Sequence, residues 1–178
     1  PGAGTDVPLY ILGSSLFGAQ LAAKLGLPYG FASHFAPGHL LGAVELYRAR
    51  FEPSEQLAEP YVIAGVNVIA ADTDADAERQ HREVRRQRVA RFLSAPRELS
   101  DTEADEILAS PQGRQIAQMM HYTAVGTTDL VGRYLRNLAR EAQVDELMTV
   151  HPSPTVDERL RSIELLAEAT ELRRQVTA

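Results

Sequence analysis

The chain has 178 residues, a formal net charge of −6 and 44% hydrophobic residues, enough apolar content for one packed domain and too much for a disordered or collagen-like chain. The absence of cysteine removes disulfides, thiolate metal sites and cysteine nucleophiles together, so any redox chemistry would have to reside in a bound cofactor. An acidic total disfavours generic nucleic-acid binding, no run of about 18 apolar residues suits a membrane span, and PGAGTDVPLY lacks the regions of a signal peptide, so the cytoplasm is the expected location.

The apolar run VPLYILG (residues 7–13) predicts a buried strand that ends at a glycine. Ser14 and Ser15 then offer N-caps, and Leu16 to Leu25 carries Phe17, Leu21, Ala22 and Leu25 at helical spacing before Gly26. Tyr29 to Ser33 is short and apolar enough for a second strand. Leu40 to Phe51 reads as a helix whose stripe is Leu40, Val44, Tyr47 and Phe51. Tyr61 to Ala70 is the longest β-rich run, and its Gly65 leaves room for a bulge or a close approach by another group. Asp72, Thr73 and Asp74 cap a helix that begins near Ala75. Residues 100–143 read as helical throughout, opened by a capping box at Ser100 and Glu103, restarted at Ser110-Pro111 and again after Val125-Gly126-Thr127. Asp145 to Val150 is the fourth strand, and a capping box at Thr155 and Glu158 opens the last helix.

Four strands, each followed by a helix, predict a parallel α/β sheet with right-handed crossovers. A closed (β/α)₈ barrel typically takes about 250 residues, so the pattern suits either a smaller open sheet or one half of a barrel.

Ile11-Leu12-Gly13-Ser14-Ser15-Leu16-Phe17-Gly18, continued through Pro28-Tyr29 and Phe31-Ala32-Ser33-His34-Phe35, resembles the signature of bacterial-luciferase-like flavin monooxygenases. Leu46-Tyr47-Arg48, Pro60-Tyr61-Val62, Val125-Gly126-Thr127 and Asp145-Glu146-Leu147-Met148 follow in the order that family shows. The resemblance implies the C-terminal half of a TIM barrel, with residues 1–178 as a single half-barrel domain and a helical insertion before the last strand. It also implies that Gly13, Ser14, Ser15 and Gly18 hold a flavin phosphate, and that Ser33 faces the flavin ring. The implied cofactor is FMN, reduced by a separate reductase and used with O2 to oxygenate a small organic substrate; the deazaflavin F420 is the less favoured alternative. Family members commonly carry a hydroxyl residue where Gly18 stands and proline where Thr128 stands, so weaker flavin affinity is expected here.

Each motif also has a plain structural reading. A helix N-terminus presents unpaired N–H groups and about half a positive charge, which suits a phosphate, but Ser14 or Ser15 could equally cap the helix. His34, just past the second strand, lines a pocket or caps a loop. His39, His81, His121 and His151 lack metal-ligand spacing. The arginine-rich stretch from Arg79 to Arg91 reads as a solvated helix face. No catalytic residue is identified. Two functions therefore stand: half of a luciferase-like monooxygenase, or a non-catalytic half-barrel or phosphate-binding module that assembles with a partner chain.

Overall fold

A computed structural model describes residues 4–93 and 99–170. Five strands, β1 (Ile11–Gly13), β2 (Tyr29–Phe31), β3 (Val62–Ala70), β4 (Thr123–Gly126) and β5 (Glu146–Val150), pair in parallel in one sheet. The helices are α1 (Leu16–Leu25), α2 (Leu40–Ala49), α3 (Asp74–Phe92), α4 (Asp101–Ala109), α5 (Pro111–Gln118), α6 (Thr128–Glu141) and α7 (Val156–Ala169), with a 3₁₀ turn at Pro37–His39. The alternation is that of a partial TIM barrel.

Several local signals act as the sequence predicts. Gly26 ends α1 in the left-handed region at φ 63°, its N–H returning to the Ala22 and Ala23 carbonyls. Thr73, Ser100, Ser110 and Thr155 each cap a helix through the hydroxyl, and the capping boxes at Ser100 and Thr155 are complete.

Two expectations need correction. The first strand is shorter than VPLYILG, because β2 begins opposite Ile11 and supplies no partner for residues 7–10; the Gln56 side chain instead bonds both the N–H and C=O of Leu9. The stretch 100–143 is not helical throughout: it contains β4, so the strand count is five. Four residues are too few to show a period. They form a strand because β3 runs on past β2 and offers Asn67 to Ala70 as a ladder.

The direction of the β3 backbone groups fixes the layout. The Tyr61 carbonyl accepts from Tyr29, and Asn67 and Ala71 donate to Tyr122 and Gly126, so odd-numbered residues bond β2 and then β4 on one edge. The Val62 carbonyl accepts from Asp145, which puts β5 on the opposite edge. The hoop is thus β1-β2-β3-β5, the four strands predicted from sequence, with β4 beside the far end of β3. Arg48 pins its base, donating to the Gln143 carbonyl and to Asp145 at 2.6 Å, while Asp145 accepts from Val62 N–H.

The alternation of side chains divides the sheet into two faces. Val62, Ala64, Val66 and Val68 of β3 pack with Tyr29, Phe31, Val44, Tyr47 and Val131 in the core beneath the helices. Ile63 and Gly65 face the concave side with Leu12, Gly30 and Met148. That side is uncovered: Leu12 is 77% exposed and Met148 58%. Exposed apolar stripes also run along the first and last helices, Phe17, Leu21 and Leu25 on α1 and Val156, Leu160 and Ile163 on α7. Among the described residues no helix is long and apolar enough to cross a membrane.

Candidate functional site

The β1–α1 turn lies where the sequence predicts, at the C-terminal end of β1. The Gly13 carbonyl accepts from Ala32 N–H at 2.9 Å, tying the turn to the end of β2, and the Tyr29 hydroxyl donates to the Ser15 carbonyl at 3.0 Å. Burial pushes the Tyr29 phenol up to about 12, so it stays a donor at neutral pH. Gly13 and Gly18 pack against each other and the Tyr29 ring. Ser15 has extended N-cap geometry but its side chain makes no capping bond, and neither serine hydroxyl is engaged with a described residue. The first amides of α1, like those of α2 and α6, are therefore free of side-chain caps, in contrast to α3, α4, α5 and α7. Ser14 is half-buried, Ser15 exposed and Gly18 buried.

Ser33 and His34 diverge. Ser33 is fully buried and donates to the Gly65 carbonyl at 2.6 Å, which places it behind the wall and not on the surface of the cavity. His34 lines a cavity of about 450 Å³ on the concave face, together with Leu12, Gly30, Gly65 and Met148. Its ring lies edge-on to Phe35 at 5.1 Å and its Nδ1 is buried without a partner. The Asn67 amide donates to the His34 carbonyl at 2.6 Å. Burial first, and the Arg88 charge second, hold the imidazole below the ordinary histidine range. The glycine at 65 is what admits the ring, since a Cβ there would overlap Nδ1 and stand 3.3 Å from Cγ and Cε1. The close approach expected at this glycine is thus made by His34.

A second cavity, about 690 Å³, lies past the end of β5 and shares Val150 with the first. Arg88, Arg91, His151, Ser153 and Arg159 line it. The arginine-rich helix has the solvated arginines and the inner side of Ala77, Val84 and Val89 that its sequence predicts, with Arg88 set apart from the solvated face. Arg79 and Arg86 do bind surface carboxylates, but Arg88 is half-buried with Nη1 unpartnered. The signal was present: Ala77, Gln80, Val84, Arg88 and Arg91 follow at helical spacing, and the first three are buried. Neither cavity is lined by the β1–α1 turn, so the structure does not bring the serines and His34 into one lining.

A family model described as luciferase-like monooxygenase matches residues 1–146. The chain is 38% identical over 174 residues to the Bacillus subtilis (strain 168) protein YvbT, covering 94% of this chain and 51% of that one. It is 36% identical over 173 residues to a luciferase-like monooxygenase of Escherichia coli (strain K12), covering 96% of this chain and 52% of that one. The crystal structure of apo-MsnO8 superposes with a TM-score of 0.80 at 32% identity, over 96% of this chain and 52% of that protein. The long-chain alkane monooxygenase LadA shares the fold at 19% identity, with a TM-score of 0.60 over 93% of this chain and 42% of LadA. The chain spans about half the length of the relatives it matches, and the parallel hoop with its bare concave face is the corresponding half of their barrel. The chain belongs to the luciferase-like monooxygenase family.

Proposed function

We propose that this chain is the flavin-phosphate-binding half of a luciferase-like flavin oxidoreductase, a half-barrel module that turns nothing over until a complementary half closes its concave face. The observation that carries this reading is the N-terminus of α1: two serines precede it, neither caps it, and its amides stand free at the strand end where parallel barrels gather their ligands. That donor set fits the phosphate of FMN, a dianion at neutral pH. Gly13, Ser14, Ser15 and Gly18 would hold the phosphate through backbone amides and two hydroxyls, and Tyr29 keeps the turn in shape through Ser15. His34 would border the flavin ring on the concave face, where exposed Leu12 and Met148 leave an apolar floor that excludes water only once it is covered.

When bound in reduced form, the flavin would supply the electrons for activating O2 and oxygenating an organic substrate; a separate reductase would reload it. The chain's own part is to anchor, orient and shield. Arginines and donors of the complementary half would complete the grip, and F420 is the second cofactor reading.

Fluorescence titration tests this proposal. A charge-assisted hydrogen bond contributes about 1.5–3 kcal/mol, so FMN is expected to bind at least about tenfold more tightly than riboflavin. Replacing Ser14 and Ser15 together by alanine should weaken FMN without abolishing binding, because the backbone amides remain. Equal affinities for FMN and riboflavin would overturn the assignment.

A further inference from the structure

The cavity past β5 is a cationic site without a counter-ion. Arg88, Arg91 and Arg159 line it, no described carboxylate does, and none of the three arginines makes an ion pair with a described residue. Arg48, Arg79, Arg86 and Arg161 each sit on a carboxylate, whereas Arg50, Arg82, Arg85, Arg114, Arg133, Arg136 and Arg140 share with the cavity arginines the lack of an ion pair with a described residue. Within the cavity Arg91 opposes the charge on Arg88, and Arg159 opposes the charge on His151.

Two polar atoms of the cavity residues are left unpaired. The Ser153 hydroxyl, on a residue only 7% exposed, is buried with no hydrogen-bond partner among the described residues, as is Nη1 of Arg88. Buried polar atoms left unpaired are costly, and because neither atom has accessible surface a ligand reaches them only through a side-chain turn of Arg88 or Ser153 toward this space, a turn that pairing with an anion favours. Phe35, Val84, Phe92 and Met119 supply apolar wall beside Gln87 and His151, and Val150 lines both this cavity and the one on the concave face.

We propose that this cavity binds an organic anion, a carboxylate on an apolar body, with the carboxylate on Arg88, Arg159 and Ser153 and the body against Phe35 and Phe92. As the substrate subsite of a flavin oxygenase this rests on the function proposed above; as a binding site it stands without it. The site is separate from the β1–α1 turn, which contributes nothing to its lining.

Calorimetric titration of the chain with octanoate, 1-octanol and inorganic phosphate, with and without saturating FMN, tests the site. Octanoate is expected to bind at least about tenfold more tightly than octanol, which lacks the charge, and than phosphate, which lacks the apolar body. Arg88→Gln and Arg159→Gln should each weaken octanoate about tenfold, and Ser153→Ala severalfold, with FMN affinity unchanged in all three. Arg159 is exposed, so its variant keeps the test open if the Arg88 variant does not fold. Equal binding of octanoate and octanol, phosphate competing as well as octanoate, or octanoate affinity unmoved by the variants would overturn the site. Displacement of octanoate by FMN would make the cavity a flavin-phosphate site and overturn the inference. Replacing Ser14 and Ser15 by alanine should leave octanoate binding intact, so failure of the flavin reading and failure of this one give different results.

Discussion

Gly65→Ala tests the packing that shapes the concave face. A Cβ at this position overlaps the His34 Nδ1 and presses on Cγ and Cε1 at 3.3 Å, inside ordinary contact distance, so the ring has to move. The His34 backbone cannot easily follow, because the Asn67 amide holds its carbonyl at 2.6 Å. Nδ1 makes no hydrogen bond, so the ring can turn toward the cavity, giving up its edge contact with Phe35. Overpacking of this kind costs about 1–3 kcal/mol. In a His34→Ala background the obstacle is gone, and alanine in a strand loses less backbone entropy than glycine, so the same change should be neutral or stabilising by up to about 1 kcal/mol. Urea unfolding of the four proteins of this cycle measures both numbers. Nuclear magnetic resonance titration supplies a second reading: His34 titrates below its ordinary value in the native chain and should move back up in Gly65→Ala, as the ring leaves its buried place beside Arg88. An equal loss of stability in both backgrounds, or an unmoved His34 titration, would refute the contact as the reason for glycine.

Ser162 is fully buried, accepts from Ala70 N–H at 3.0 Å and bonds His151 Nδ1 at 2.8 Å, so Ser162→Ala should cost about 1–3 kcal/mol by stranding both partners; an unchanged urea midpoint would show that they find others. Tyr29 should ionise near pH 12 in an ultraviolet difference titration, and Tyr29→Phe should remove that late step and weaken FMN binding by loosening the turn; loss of flavin affinity without any late-titrating tyrosine in the parent would separate the two claims. His34, His81 and His151 all have folded-state values held below their unfolded ones, chiefly by burial, so the stability they contribute is full above about pH 6.5 and is lost as pH falls through the folded values. Urea midpoints measured between pH 8 and pH 5 should drop in the lower part of that range, and a rise on acidification would contradict the burial of these rings.

The sequence by itself determined the strands and helices of the hoop and the place of the β1–α1 turn. These rest on local physics: apolar runs bounded by glycine, hydroxyl caps followed three residues later by glutamate, and the Gly-Ser-Ser turn before an apolar helix. Gly65 was legible as a place of close approach, but not its occupant. Tertiary structure alone decided the rest. β4 exists because β3 overruns β2, a property of two lengths that no window of four residues contains. Ser33 turned out to spend its hydroxyl on Gly65, and Ser15 not to cap α1, since a hydroxyl takes whichever partner the packed chain brings within 3 Å. Arg88 shares a stripe with buried Val84, yet charge alone marked it as solvated. Only the tertiary fold, which brings α3 and the residues after β5 to one cavity and sets Arg88 in its lining with Arg159 and Ser153, turned a surface arginine into the wall of a cavity.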